Sequence, residues 1–386
     1  MNRLILFTSF PKAGGQTTIT LSLIKLLRPH FGDILVIAKE TPGHGTCDET
    51  LNVIQDLGIE TLVIRSRWDE LRFLVTCFRP SFLRRWLFAD ALLSMSMRHL
   101  SPVLCLLLRP RRSFYYHMIK ELSAPTLRLL GFYARFFTKL VFISPATELD
   151  YRKLKPGCQA TASLVQPSEI SLRRTRVPGV GSSISFGFVG RLNEEKGCGV
   201  LVEFARNCVQ PCALHIAGKG EYSQVFQELA EQRQLAVQVR FHGAFPATMR
   251  QAFLEKFLGL IDYLIVPSQD DREGIPTVIF EALQAGVPVV ATRSGGMPVF
   301  ELPGYRPSRP ECVKLVERDK ISETLRELAG EPAPGPAIEA ACREYYERNF
   351  SDDALRERWL DVLLDRHDAS ARDGLRRECV ADHDTI

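Results

Sequence analysis

Short runs rich in Val, Ile and Leu recur at 3–9, 34–38, 61–64, 103–108 and 139–143, and again at 184–189, 213–217, 237–241, 262–266 and 287–291. Segments of helical length separate them. The strand–helix rhythm predicts parallel sheets with crossover helices. The pattern comes in two series. Between them, Pro156, Gly157, Pro167, Pro178, Gly179 and Gly181 interrupt a polar stretch, the composition of a link between domains. A chain of 386 residues is also too long for one ordinary core. We therefore expect a first α/β domain over 1–167, a linker over 168–182 and a second α/β domain over 183–336. Beyond the Pro- and Gly-rich break Glu331–Pro336, an amphipathic helix over 337–366 is expected to pack back on the first domain. Residues 367–386 read as a charged, frayed tail.

Hydrophobic residues make up 45% and charged residues 24%, which excludes global disorder and allows a sizeable core. None of the ten cysteines forms a C-x2-C pair. Cys208 and Cys212 come nearest, and they read as small buried hydrophobes. Arg3-Leu4-Ile5-Leu6-Phe7 runs straight into a polar Gly loop without a secretory signal, so a reducing cytoplasm is expected. The net charge of +4 is uneven: residues 65–112 hold ten Arg against Asp69, Glu70 and Asp90. Trp68, Phe73, Phe78, Phe82, Trp86 and Phe88 lie among those arginines. This composition suits contact with an anionic membrane at its inner face, and equally a partly buried helical pair with solvated Arg. Asp90, Arg98 and Pro102 break the best candidate for a membrane span. A nucleic-acid partner is set aside, because the Arg cluster is local and no recognition motif accompanies it.

The second series opens with Gly187-Phe188-Val189-Gly190-Arg191-Leu192-Asn193-Glu194-Glu195-Lys196-Gly197. This is a strand whose carboxyl end, where α/β sheets take ligands, carries a Gly turn and two cations. Arg191 and Lys196 suit the two phosphates of a diphosphate; they would also pair with Glu194 and Glu195 on a surface. Further on, strand 262–266 leads through Pro267-Ser268 to a helix from Pro276 to Gln284, closed by Gly286. The helix N-terminus, with Gly274, Ile275, Pro276 and Thr277, offers amides to phosphate oxygens. Glu273 stands just outside it, and Glu281 lies within it in an apolar stretch. A carboxylate there needs donors, which sugar hydroxyls or a neighbouring Arg would supply.

These residues resemble the GT-B glycosyltransferases of family 4, the large retaining class. The motifs that carry the resemblance are Gly190-Arg191-Leu192 with Lys196-Gly197, Gly218-Lys219-Gly220, Val239-Arg240-Phe241-His242-Gly243, Pro267-Ser268, Glu273 to Glu281, and Ala285-Gly286-Val287-Pro288-Val289-Val290-Ala291-Thr292. The resemblance implies two Rossmann-like domains facing each other across a cleft. It implies Arg191 and Lys196 on the diphosphate, Glu281 on the ribose hydroxyls, Glu273 and the following amides on the donor sugar, and the turn from Gly243 to Phe245 on the base. In the first domain it implies Gly14 and Gly15 near the donor phosphates and His117 near the reacting sugar; a histidine beside Phe114-Tyr115-Tyr116 also reads as a core residue. The sequence departs from the family at Val299, where an acid is usual and Glu301 is close by, at Gln166-Pro167-Ser168, and in a shortened stretch from Phe300 to Val313.

The function expected is transfer of a hexose-type sugar from a nucleotide diphosphate donor to a hydroxyl of a glycan or lipid-linked acceptor. Envelope or extracellular polysaccharide assembly is the setting, with no metal or other cofactor. Asp270-Asp271 reads as an ordinary polar loop and not as a metal site. A P-loop fails because Gln16 stands where the phosphate-binding Lys belongs. An inactive GT-B scaffolding subunit is the alternative, set against the retention of Arg191, Lys196, Glu273 and Glu281.

Overall fold

The structure, a computed structural model, describes residues 2–8, 15–40, 48–95, 112–117, 128, 130–131, 135–142, 145–154, 161–163, 172, 183–246, 249–271 and 274–364. The chain divides into two units, Met1–Pro167 with Asp352–Ile386, and Ser168–Ser351.

The first unit is built on seven parallel strands: β1 (Arg3–Thr8), β2 (Asp33–Lys39), β3 (Glu60–Ile64), β4 (Ala91–Ser94), β5 (Ser113–His117), β6 (Lys139–Phe142) and β7 (Thr161–Ser163), in the order β3-β2-β1-β4-β5-β6-β7. Leu4 stands opposite Ile34 on one side and Ala91 on the other. Successive side chains alternate between faces, and both faces are covered. Leu4, Leu6, Val36 and Leu93 pack with Leu23, Leu27 and Trp359, while Ile5, Phe7, Leu35 and Leu92 pack with Phe73, Phe82 and Trp86. The covering helices are α1 (Gly15–Leu27), α2 (Asp48–Asp56), α3 (Arg67–Cys77), α4 (Pro80–Leu87) and α5 (Pro145–Leu154).

The second unit has six parallel strands: β8 (Ser185–Val189), β9 (Cys212–Ala217), β10 (Val237–Gly243), β11 (Tyr263–Val266), β12 (Val289–Thr292) and β13 (Val313–Val316), in the order β10-β9-β8-β11-β12-β13. Its helices are α6 (Cys198–Asn207), α7 (Ser223–Glu231), α8 (Arg250–Gly259), α9 (Thr277–Ala285), α10 (Ile321–Ala329) and α11 (Pro336–Phe350). Strand order reverses between β8 and β11, which opens a crevice at the carboxyl end of β8. The cysteines described, among them Cys208 and Cys212, are free and buried.

Two differences from the sequence reading are physical. The stretch 337–366 is two helices, α11 in the second unit and α12 (Asp352–Leu364) in the first, broken where Ser351 takes an extended backbone with φ −62 and ψ 158. Only α12 packs on the first sheet. The strand expected at 103–108 lies outside the described residues, and β4, β5, β7 and β13 are strands that patterning did not give.

Candidate functional site

The loops that leave β8, β9 and β11 meet in the crevice through backbone contacts that only glycine allows. Gly197 has φ 75, and a Cβ there would stand 1.9 Å from the Pro267 carbonyl oxygen; a Cβ on Gly218, at φ 141, would stand 1.8 Å from that of Gly190. Positive φ and contact this close exclude other residues. The Pro267-Ser268 loop is then held from below. Thr292 Oγ1 and Ser294 Oγ donate to the Ser268 carbonyl oxygen at 2.6 and 3.0 Å, and Gln269 N donates to the Glu195 carbonyl oxygen at 2.8 Å.

These loops enclose a cavity of about 400 Å³, a size that suits a small ligand. Gly190, Arg191, Lys196, Lys219, Phe245, Arg250, Pro276 and Thr277 are among the residues lining it. Lys196 sits on a one-turn 3-10 helix, Glu194–Lys196, capped by Asn193, whose side chain accepts from Lys196 N at 3.2 Å. Burial pushes the Lys196 ammonium below the ordinary lysine value, and nearby Arg191 adds to this, while Asp270 and Glu195 oppose it. Arg191 is 70% exposed, with Nη2 3.9 Å from Glu195 Oε2, a surface contact that contributes little. The cavity thus gathers Arg191, Lys196, Lys219 and Arg250 beside the open amino end of α9, whose cap residue Pro276 offers no side-chain bond. Such a surface is charged for an anion.

A bound diphosphate would favour the charged form of Lys196, so its affinity is expected to be full below the lowered Lys196 pKa and to fall as pH rises through it. Titration at increasing alkaline pH checks this. Lys196→Arg should flatten the decline, because a guanidinium stays charged; a flat profile in the unaltered protein contradicts the assignment.

Phe245 stacks on Phe253 with ring centroids 4.1 Å apart, and the stack continues to Phe257 and His242. His215 and His242 lie against each other with ring nitrogens 3.1 Å apart. Burial is the main cause that pushes His215 down to about 3 and lowers His242 as well. Of this stack Phe245 lines the cavity, and burial favours the neutral forms of the two histidines behind it. Gly243 supplies the left-handed turn, φ 69, that sends the chain from β10 towards Phe245.

Glu281 is 2% exposed, and Arg250 Nη2 donates to both of its carboxylate oxygens, at 2.7 and 2.8 Å. Of the two partners that its sequence left open, an arginine and sugar hydroxyls, the structure gives it the arginine. Glu281 itself does not line the cavity, whereas Arg250 does. No motif singled out Arg250, Lys219, Thr292 or Ser294 for a role, although Thr292 closes one motif and Lys219 stands inside another. Gly274 and Ile275 precede the helix, and Ile275 is buried. Glu301 is bound to Arg293 at 2.6 Å, Val299 is buried, and Asp271 pairs with Arg318. Gly14 and Glu273 lie outside the described residues; Gly15 opens α1 and His117 ends β5 in the first unit, their side-chain surroundings also outside the description.

Two parallel-sheet units, the second with a cationic cavity at its switch point, define an α/β protein of the GT-B architecture. A crystal structure of Anabaena Alr3699/HepE in complex with UDP has this fold: it aligns with a TM-score of 0.65 and 19% identity over 94% of this chain and 99% of that one. Residues 179–328 match the family described as Glycosyl transferases group 1. A GDP-mannose-dependent alpha-(1-6)-phosphatidylinositol monomannoside mannosyltransferase from Mycolicibacterium smegmatis is 28% identical over 233 residues, 58% of each chain. The amylovoran biosynthesis glycosyltransferase AmsK from Erwinia amylovora is 28% identical over 179 residues, 43% of this chain and 42% of that one. The chain thus spans about half the length of the curated relatives it matches.

Proposed function

We propose that this protein is a retaining glycosyltransferase that moves a hexose-type sugar from a nucleotide diphosphate donor to a hydroxyl of a glycan or lipid-linked acceptor, in envelope polysaccharide or glycolipid assembly. The observation that carries the reading is the cavity at the end of β8, where Arg191, Lys196, Lys219 and the amino end of α9 converge. The matched family and the relatives named for mannosyl transfer and amylovoran synthesis support it. So does the UDP complex of the similar fold.

In this reading the diphosphate lies across Arg191, Lys196 and the free amides of α9, which offset the charge that develops as the sugar–phosphate bond breaks. Interactions stronger at that point than in the ground state are the ones that accelerate the reaction. Phe245 and its aromatic backing form a wall for the base. The acceptor hydroxyl attacks from the face that the diphosphate leaves, and a leaving phosphate oxygen takes its proton, so the configuration at the anomeric carbon is kept. Arg191, Lys196 and Lys219 supply positive charge around the cavity, and we propose that no metal is needed. Glu273 and the following amides hold the donor sugar, with His117 of the first unit at the reacting end. We place the protein in the cytoplasm at the inner face of the membrane.

Incubation with UDP-, GDP- and ADP-hexoses and a glycan or polyprenyl-linked acceptor tests the reading by the anomeric signals of the product. Retention of configuration with release of one nucleoside diphosphate is expected; inversion contradicts the mechanism. Glu273→Ala is expected to abolish transfer while nucleotide affinity persists, and transfer at full rate would remove Glu273 from the site.

A further inference from the structure

We propose that the outward face of α3 and α4 is a docking surface for an anionic lipid bilayer. This goes beyond glycosyl transfer and stands without it.

The two helices split their aromatic residues by side. Phe73 and Cys77 of α3 and Phe82 and Trp86 of α4 are buried, and Phe7 of β1 meets Phe73 and Trp86 at ring distances of 6.5 and 5.8 Å. Trp68, Leu71, Val75, Phe78, Leu87 and Phe88 face outward and are 75, 53, 61, 62, 48 and 65% exposed. Trp68, Leu71, Arg72 and Val75 follow one another at the spacing that lines a single stripe of α3, and Arg79 stands at the start of α4. Of the nine large hydrophobics exposed among the described residues, six belong to this pair. Single exposed hydrophobics are ordinary, whereas a cluster marks a contact surface.

Charge identifies the occupant. Arg72, Arg79 and Arg84 are exposed among these apolar groups. Of the acids of the same segment, Asp69 accepts from Ser66 N and Ser66 Oγ at 3.0 and 2.9 Å in a capping box with Arg72 close enough to favour its charge, and Glu70 pairs with Lys39. Arg85 also turns away, to Asp33 and Glu60. What faces outward is aromatic and aliphatic surface edged with arginine, a combination that seats rings at the acyl boundary and guanidinium groups among lipid phosphates. A second copy meeting the same face through a two-fold axis would set one arginine-bearing patch against another of the same charge, which disfavours that occupant. Among the described residues no helix is long and apolar enough to cross a membrane, so the contact proposed lies on the surface.

Flotation of the full chain with vesicles of phosphatidylcholine alone, and of phosphatidylcholine mixed with phosphatidylglycerol, tests the surface at low and high salt. The protein is expected to float with the mixed vesicles, less so at high salt, and to remain behind with phosphatidylcholine alone. Arg72→Gln, Arg79→Gln and Arg84→Gln together should weaken binding on the order of fivefold per arginine removed. Trp68→Ser, Phe78→Ser and Phe88→Ser together should abolish it. Both triple variants change exposed residues of the first unit, so nucleotide affinity and thermal midpoint should stay unchanged; this keeps the test separate from that of the donor site. Failure to bind the mixed vesicles at low salt overturns the proposal. Binding that survives both variants does the same, as does a dimer that the serine variant dissociates without any lipid binding.

Discussion

Arg250→Ala is expected to destabilise the second unit by about 3 kcal/mol, the lower part of the range for removing one partner from a buried ion pair. The Glu281 side chain is 3% exposed and accepts from Arg250 Nη2 with both oxygens, so alanine removes the cation that offsets a buried carboxylate. Arg250 itself keeps 34% of its side-chain surface, which holds the effect below the upper limit. Glu281→Gln added to Arg250→Ala removes the buried charge and should recover part of the loss. The same single variant takes a cation from the cavity wall, so nucleotide affinity should fall as well. Denaturant melts of the two variants check the argument, and a change within about 0.5 kcal/mol, the size of an ordinary surface substitution, would contradict it.

Trp359→Ala should act on the other unit and at least as strongly. Trp359 is fully buried, meets Tyr116 edge-on at 5.1 Å and sits among Leu355, Leu360 and Leu363 against the first sheet. Truncating a core Trp costs about 3–5 kcal/mol, and the loss should loosen α12 from the sheet. We expect an earlier transition in the first unit, a smaller effect from Trp359→Phe, and nucleotide affinity in the second unit unchanged. An unaltered melting profile would show that α12 contributes little to that core.

Most strands of the parallel sheets were legible because they are buried on both faces and read as apolar runs, whereas the edge strand β10 alternates between buried and exposed positions. β4 was not legible, since Ala91–Ser94 is a four-residue strand beside an arginine-rich segment, and neither was β13, where Val313–Val316 carries Lys314. The break at Ser351 lacks the Gly or Pro that usually ends a helix, so 337–366 read as one amphipathic stretch. In the cavity, the loops of Gly190–Gly197 and Gly218–Gly220 were legible because their glycines serve close backbone contact. Arg250 was not, because its meaning depends on a partner 31 positions away that only the fold brings near. Composition marked the Arg and aromatic segment as a whole; which rings point inward and which outward followed only from how α3 and α4 pack.

The most direct test of the donor site is calorimetric titration of the purified protein with UDP, GDP and ADP without added metal, repeated on Arg191→Ala and Lys196→Ala. Each charge-assisted contact contributes roughly 1.5–3 kcal/mol, so each variant is expected to lose about ten- to a hundredfold in affinity for the one nucleotide that binds. Binding of none of the three, or affinity unchanged in both variants, would contradict the placement of a nucleotide diphosphate at the end of β8.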